Sequence, residues 1–453
     1  MLRNVLCTFS FSSPAIFKTP FTNRPITRCF NVNKLKTEIK LFATFEDRKA
    51  ARRAQVGKPK AQDRGQYKNI YEVHRDVARS GLPLKQEDFI VLGIESSCDD
   101  TGAAVVRSDG MILGESLASQ ASIHEEFGGV VPGLARDAHA DAIDSVISEA
   151  LDKAEMKIDD VDAIGVTVGP GLEICLRIGC NAARELAMKY NKPFVGVHHL
   201  EAHILMARLP NNSSDENVHV EDNLKFPFLA LLVSGGHCQI LKCQDIGKYS
   251  FVGGTLDDSL GEAFDKTARL LGLKVGGGGG PAVEKLALLG DPSAVDLPVP
   301  MQNRPDCDFS YAGLKNAVRV ACKKLKSERG LEQDDELNEV DKANVAASFQ
   351  NVAIKHIEQR LRRAMIQCEQ DGEGITSLAV VGGVAANTEL RKRIQQLCDK
   401  REFPWKLVVP PPRLCTDQGT MSAWAAIERI KIGSTDDPYS QDVFARYPFS
   451  SDV

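Results

Sequence analysis

Two histidines, in the run His199-Leu200-Glu201-Ala202-His203, have the spacing that lets side chains act together. Four residues apart on a helix, they project from one face, one turn above the other. Imidazoles so placed form a two-point grip for a transition metal. Asp417, in Cys415-Thr416-Asp417-Gln418-Gly419 just after Pro410-Pro411-Pro412, is the best third ligand. Two histidines and a carboxylate leave coordination positions open for a substrate oxygen, as catalytic iron and zinc sites do. The competing reading is two ordinary packed or surface histidines. The run is not the protease pattern His-Glu-x-x-His, since Glu201 lies two residues from each histidine and faces elsewhere on the helix.

Glycine turns supply a second chemistry. Ser234-Gly235-Gly236-His237 separates two apolar runs, and consecutive glycines let a backbone approach a ligand with no side chain between. That favours phosphate contact over a plain hairpin. An earlier turn, Glu95-Ser96-Ser97-Cys98-Asp99-Asp100-Thr101-Gly102, gathers hydroxyls, amides and carboxylates. It suits a phosphate, or a cation bridging to one, and equally a self-capped hairpin turn. Asp99 and Asp100 are the candidates for a general base, whereas Cys98 reads as a packed small residue rather than a nucleophile. Gly382-Gly383-Val384-Ala385-Ala386-Asn387 follows the apolar run from Leu378 to Val381. There Asn387 could hydrogen-bond a sugar or base, or the segment could be a structural turn. It is not Gly-x-Gly-x-x-Gly, and no Walker Gly-Lys-Ser/Thr occurs. Gly276 to Gly280, running into Pro281, reads as a loop, with a backbone platform under a nucleotide as the alternative. Asp257, Asp258, Glu262 and Asp265 crowd acids onto one loop and helix start, fit for ribose hydroxyls or for complementing a helix dipole.

The elements that must hold these groups alternate strand and helix. Phe89 to Ile94 is a buried strand by its β-branched run, and Ala103 to Val106 returns as a second. Residues 138–157 show helical spacing. Val161 to Val168 is a further strand, and Gly169-Pro170-Gly171 opens a helix from Leu172 to Tyr190. The opening pattern then recurs in Phe228 to Val233, the Ser234 turn and Cys238 to Leu241. Two copies of one α/β module facing each other, with a nucleotide in the cleft between them, account for that recurrence.

Length and composition fit such a doubled enzyme. The 453 residues are 43% hydrophobic and 26% charged, enough for two soluble domains. Apolar runs fall far short of the ~20 residues of a membrane helix, so no membrane partner is expected. Twelve cysteines without a Cys-x-x-Cys pair point to a reducing compartment rather than a disulfide framework or a zinc ribbon. Residues 1–45 carry Arg3, Lys18, Arg24, Arg28, Lys34 and Lys36, with Glu38 the only acid before Glu46. That is the composition of an organelle transit peptide, here mitochondrial ahead of plastid. A charged linker at 46–88, an N-terminal lobe at 89–223 and a C-terminal lobe at 224–453 come next, with the last helices free to pack back on the first lobe. Residues 1–88 hold 18 Lys and Arg against 8 Asp and Glu, so with a net charge of −5 overall the rest carries −15. A nucleic acid would therefore need a local basic patch. Arg360, Arg362 and Arg363, or Arg391, Lys392 and Arg393, are candidates, as are plain solvated helix faces.

Taken together, the chain from Val91 to Ala426 closely resembles the universal tRNA threonylcarbamoyladenosine transferases, once labelled O-sialoglycoprotein endopeptidases. The carrying motifs are Gly93 to Thr101, Gly169-Pro170-Gly171-Leu172, His199 to His203, Val233 to His237, Gly261 to Lys266, Phe309 to Lys315, Gly382 to Asn387, and Thr416-Asp417. The resemblance implies an α/β fold of two facing RNase H-like lobes, of the actin/Hsp70/sugar-kinase class. It implies one divalent metal, iron or zinc, on His199, His203 and Asp417. Leu232, Val233, Ser234, Gly235, Gly236, Asp265, Gly280 and Asn387 are implied to contact threonylcarbamoyl-AMP. The implied reaction moves threonylcarbamoyl to the exocyclic amine of the adenosine beside a tRNA anticodon and releases AMP. A homodimer acting without further subunits is implied for an organellar member. The chain departs from the family at Gly133 and Asp137, where Glu and Arg are common, and at Gln418, where Asn is common. Its glycine tract is also about two residues longer than usual. A small-molecule kinase of the same fold and a metal-dependent peptidase are the alternative functions, and a non-catalytic tRNA-binding scaffold is a third.

Overall fold

The computed structural model describes residues 88–448 apart from 126, 128, 211–223, 274–277, 333 and 402–403. The expected leader, nearly all of the linker, the inter-lobe loop and the first two glycines of the glycine tract lie outside the described residues.

Alternation along the first strand sorts its side chains between two cores. In β1 (Ile90–Glu95), Leu92 and Ile94 enter one apolar cluster and Val91 another, so Glu95 falls on the Val91 face. β2 (Asp100–Arg107) and β3 (Ile112–Ser119) extend the sheet antiparallel, and β4 (Ala163–Gly169) and β5 (Phe194–His198) run parallel to β1. The order is β3-β2-β1-β4-β5. A second sheet repeats it with β6 (Phe228–Val233), β7 (Cys238–Asp245), β8 (Lys248–Gly254), β9 (Ser377–Val381) and β10 (Lys406–Val408), in the order β10-β9-β6-β7-β8. Strand senses match as well. The chain is thus a doubled α/β structure, two five-stranded sheets on one RNase H-like plan.

Helices cover both sheets. α1 (Pro132–Lys153) starts on a proline, whose missing N–H costs nothing in a first turn. It buries Ala135, His139, Ile143, Val146, Ile147 and Ala150 as one stripe against β2 and β3. α2 (Glu173–Lys189) lies beside it on β4. In the second lobe, Leu229, Leu231 and Val233 face the large cluster built with α4 (Leu260–Leu270), α5 (Gly279–Ala287), α6 (Ala312–Glu328), the 33-residue α7 (Glu339–Asp371) and α8 (Thr388–Asp399).

Two helices tie the sheets to one site. α3 (His199–Leu205) leaves the first sheet directly from β5. Its Leu200 and Ile204 pack with Phe228, Ala230 and Leu232 of the second sheet. α9 (Gly419–Lys431), near the end of the chain, returns to the first sheet and covers β1, β2 and β4. Its approach is backbone against backbone. A Cβ on Gly93 would stand 2.2 Å from Ala423 N, and one on Gly419 2.3 Å from the carbonyl carbon of Ala103. Glycine is required at both. That contact fixes the loop before α9, which carries Asp417.

Candidate metal and nucleotide site

His199 opens α3 and His203 lies one turn later, their ring centroids 4.7 Å apart. His198 caps the helix by accepting the Leu200 N–H. Asp417 Oδ1 lies 3.0 Å from His203 Nε2 and 3.7 Å from His199 Nε2. One donor atom from each of the three falls within 4.8 Å of the others. The structure therefore brings together the three residues named from the sequence. His203 is 1% exposed, and the one polar group against its Nε2 is the Asp417 carboxylate, 3.0 Å away. A buried imidazole and a carboxylate held this close offer their donor atoms to one cation. Two nitrogens and one oxygen in this arrangement fit a divalent metal.

Charge at the site favours a cation. Burial works against charge on His199, but the Asp417 and Glu95 carboxylates outweigh it and lift its pKa to about 9. Asp417, despite burial, is held well below the usual carboxylate range by His199 and His203. Burial, with His199 and His203 adding, takes His237 down to about 4.

Glu95 stands behind this site, its Oε2 3.6 Å from His199 Nδ1. Ser97 N–H donates to its other oxygen at 2.7 Å, the Thr167 hydroxyl donates to Oε2, and Ser97 Oγ lies 3.3 Å from His199 Nδ1. A carboxylate behind a ligating imidazole fixes the ring and raises its basicity. Glu95 was legible in the sequence as a turn residue, but not as the support of His199. The alternation along β1 would have shown its face, yet not its partner.

Glu201, between the histidines, points away from them. It is fully buried and accepts from Arg429 Nε at 2.7 Å, from Tyr249 Oη at 2.9 Å and from Gly247 N–H at 2.9 Å. One carboxylate so ties α3 to α9 and to the β7–β8 hairpin. No local signal announces these partners, which lie 46 to 228 residues away.

The first turn is tied down largely by the two helices beside it. Ser96 Oγ donates to Cys175 O and accepts Gly179 N–H, and Thr101 Oγ1 meets His139 Nδ1 at 2.7 Å. His139 Nε2 reaches Cys98 O at 3.1 Å, so this buried histidine clamps the turn. Burial pushes the Cys98 thiol far above its ordinary value, which makes it inert. Asp99 and Asp100 remain half-buried, and burial, opposed by the Ser119 hydroxyl and reinforced by Asp99 and Asp417, lifts Asp100 to about 6.

The second turn is open. Ser234 N–H bonds His237 O and His237 N–H bonds Ser234 Oγ, closing a tight loop with Gly235 and Gly236 exposed. A Cβ on either glycine would meet nothing within 4 Å, so the fold itself does not demand glycine there. Leu232 and Val233 are buried in β6 and have only backbone to offer. Asp265 Oδ1 accepts Gly279 N–H at 2.6 Å, holding the start of α5 that carries Gly280. Asn387 is less available than the sequence suggested. Its Oδ1 caps α8 at Leu390 N–H and its Nδ2 donates to Gln350, leaving one amide hydrogen.

Two further expectations change. Asp257 accepts from Ser310 Oγ and from Tyr311 and Ala312 N–H, and Asp258 pairs with Lys266 and Lys315. These two acids join α4 to α6 instead of standing free for ribose. In the arginine clusters Arg360, Arg363, Arg391 and Arg393 turn inward, while Arg362 and Lys392 stay exposed. Buried Arg360 donates to the carbonyls of Met301, Arg304 and Asp306, Arg391 to those of Ala385 and Pro410, and Arg393 pairs with Glu358. Gln418 donates to Arg413 O in its own loop.

The family model for TsaD, tRNA N6-adenosine threonylcarbamoyltransferase, matches residues 111–424. A curated Arabidopsis thaliana protein named "Probable tRNA N6-adenosine threonylcarbamoyltransferase, mitochondrial" is 43% identical over 388 residues, 82% of this chain and 78% of that protein. A Sinorhizobium medicae tRNA N6-adenosine threonylcarbamoyltransferase is 42% identical over 369 residues, 80% of this chain and 96% of its own. Among solved structures, full-length HypF matches with a TM-score of 0.46 at 14% identity, over 76% of this chain and 46% of that one. By sequence the chain belongs to the tRNA N6-adenosine threonylcarbamoyltransferase family, and it is a transferase.

Proposed function

We propose that this protein transfers threonylcarbamoyl from threonylcarbamoyl-AMP to N6 of the adenosine at position 37, next to the anticodon. The acceptors are tRNAs reading codons that begin with adenine. The N6 amine attacks the carbamoyl carbon, the bond from that carbon to the phosphate oxygen breaks, AMP leaves, and the amine gives up one proton. His199, His203 and Asp417 hold one divalent metal, iron or zinc, which supplies Lewis-acid polarisation of the donor. Gly235 and Gly236 N–H groups stabilise charge growing on the departing phosphate, each such donor being worth about 3 kcal/mol. Asp265, Gly280 and Asn387, with backbone from Leu232, Val233 and Ser234, orient the adenylate. Asp100, with a pKa of about 6, is suited to take the proton at neutral pH, and Asp99 flanks it. The protein acts as a homodimer in the mitochondrion; the basic leader composition and the name of the Arabidopsis relative support that compartment.

One observation carries this function: two histidines and a distant aspartate meet with one donor atom from each within 4.8 Å of the others. Asp417→Ala tests it. Metal content is expected to fall, and transfer to tRNA with it by 100-fold or more. Unchanged metal and turnover would refute the site. Mass spectrometry of tRNA nucleosides from each organelle after depletion tests acceptor and compartment, with plastid-only loss overturning the mitochondrial assignment.

A further inference from the structure

The protein body is acidic, and the arginine clusters at 360–363 and 391–393 spend most of their donors on internal carbonyls and carboxylates. Within those clusters only Arg362 and Lys392 stay exposed, one on each of two helices, and a denser group of cations lies elsewhere. They gather between α4 and α6. Lys266 and Arg269 from α4 and Lys315 and Arg319 from α6 line a groove of about 310 Å³, with Leu270 and Asn316 completing its wall. Their spacing is helical. Lys266 and Arg269 are three apart, and Lys315 and Arg319 four apart, so each pair shares a face. Exposed Lys323, one turn further along α6, extends the row.

The groove is braced from beneath. Asp258 pairs with both Lys266 (2.9 Å) and Lys315 (2.8 Å), and Glu262 pairs with Lys266 at 2.6 Å. Four cations against two carboxylates leave a positive excess, and the shared Asp258 holds the two lysines in fixed positions. The arginines are the outward charges. Arg319 donates only along its own helix, to Asn316, and Arg269 makes no ion pair among the described residues. Both are exposed.

The groove also lies in the right place. Lys266 directly follows Asp265, which holds the start of α5 beside Gly280. Across from it, a Cβ on Gly129 of the first lobe would stand 3.9 Å from Arg269 Nη2. The groove thus opens where Arg269 comes close to the first lobe, on the helix that also carries Asp265. A macromolecular acceptor must bring its reacting base to that place and lay its backbone outside it.

We propose that the α4–α6 groove docks the phosphate backbone of the tRNA anticodon arm, and that Arg269 and Arg319 make its outermost phosphate contacts. The proposal rests on the chain being a tRNA transferase of the kind set out under Proposed function. Phosphate neutralisation releases counterions, so each contact adds about 0.9 to the slope of log K against log salt. The test uses the full chain loaded with metal and an unmodified tRNA transcript carrying adenosine at position 37. Binding is measured across a salt series, and transfer is measured with threonylcarbamoyl-AMP. Arg269→Glu with Arg319→Glu is expected to weaken tRNA binding at least tenfold and to lower the salt slope by about 2. KM for tRNA should rise while metal content and KM for threonylcarbamoyl-AMP stay unchanged. Arg269→Lys with Arg319→Lys should restore most of the binding. If the parent protein binds and modifies tRNA while the Glu pair binds it equally well with the same slope, the groove assignment is overturned. If the parent itself neither binds nor modifies tRNA, the proposed function fails instead. A Glu pair that loses metal or adenylate affinity as well would show a general structural defect, and this too would overturn the assignment.

Discussion

Asp100 and Gly235 show how single residues divide fold from chemistry. Burial raises Asp100 to about 6, above the ordinary aspartate value of 3.8. The folded state then binds that proton more tightly than the unfolded chain does. Stability is consequently lost as pH rises from about 4 through about 6. Asp100→Asn keeps an oxygen for its hydrogen-bond donors and removes the loss. The variant is expected to be more stable than the parent above pH 6, by at most roughly 3 kcal/mol, and equal to it below pH 4. Urea midpoints across that range check this, and a slower transfer rate in the same variant would accord with a proton-accepting role. Gly235 presents the opposite case. Open space surrounds its missing Cβ, so Gly235→Val should leave the thermal midpoint within about 2 °C of the parent, since no packing is disturbed. The same change should weaken AMP binding tenfold or more by calorimetry, because the added side chain fills the approach to the turn amides.

Elements are held in place by a few long-range contacts. α3, which carries the two candidate ligand histidines, is short, and its orientation depends on Leu200 and Ile204 against β6 and on Glu201 against Arg429 and Tyr249. Removing one partner of a buried ion pair costs about 3–5 kcal/mol, because the other charge loses its compensation. Glu201→Ala is expected to destabilise the fold by that amount in urea melts and to lower metal affinity without touching a ligand. Glu201→Leu combined with Arg429→Met should recover most of the stability. The strands and helices with strong periodicity were legible in the sequence. β1, β4, β6 and the helix after Gly171 lie within one or two residues of expectation. β3 was not legible, because Ile112–Ser119 is a half-exposed edge strand with Gly114 and Glu115 inside it. The long α7 was not marked out as one element either.

At the scale of the whole molecule, the candidate metal site joins a helix that leaves the first sheet near its last strand to a loop more than 200 residues later. Ligand binding to the folded state alone stabilises it by mass action, about 4 kcal/mol at a thousand times Kd. Adding zinc or ferrous ion to stripped protein is therefore expected to raise the thermal midpoint by several degrees, and chelation to reverse it. His203→Ala should abolish the effect, and a shift that persists in this variant would place the metal elsewhere. The organisation of the site also explains its two histidine-facing carboxylates. Asp417 arrives with α9 and Glu95 with β1, and the glycine contact between those two elements sets the distance between them.

The features that could be read from the chain alone were local: the imidazole spacing, the apolar periods of the strands, the open glycine turns, and a string of motifs in order. Each depends on residues a few positions apart, where helix and strand geometry alone dictate which side chains share a face. Long-range packing settled the remainder. It chose Glu95 as the support of His199, turned Glu201 toward Arg429, consumed Ser96, Asp257 and Arg360 in internal hydrogen bonds, and collected Lys266, Arg269, Lys315 and Arg319 into one groove. Those outcomes depend on which distant donors and acceptors burial forces together, and no local period in the chain encodes that.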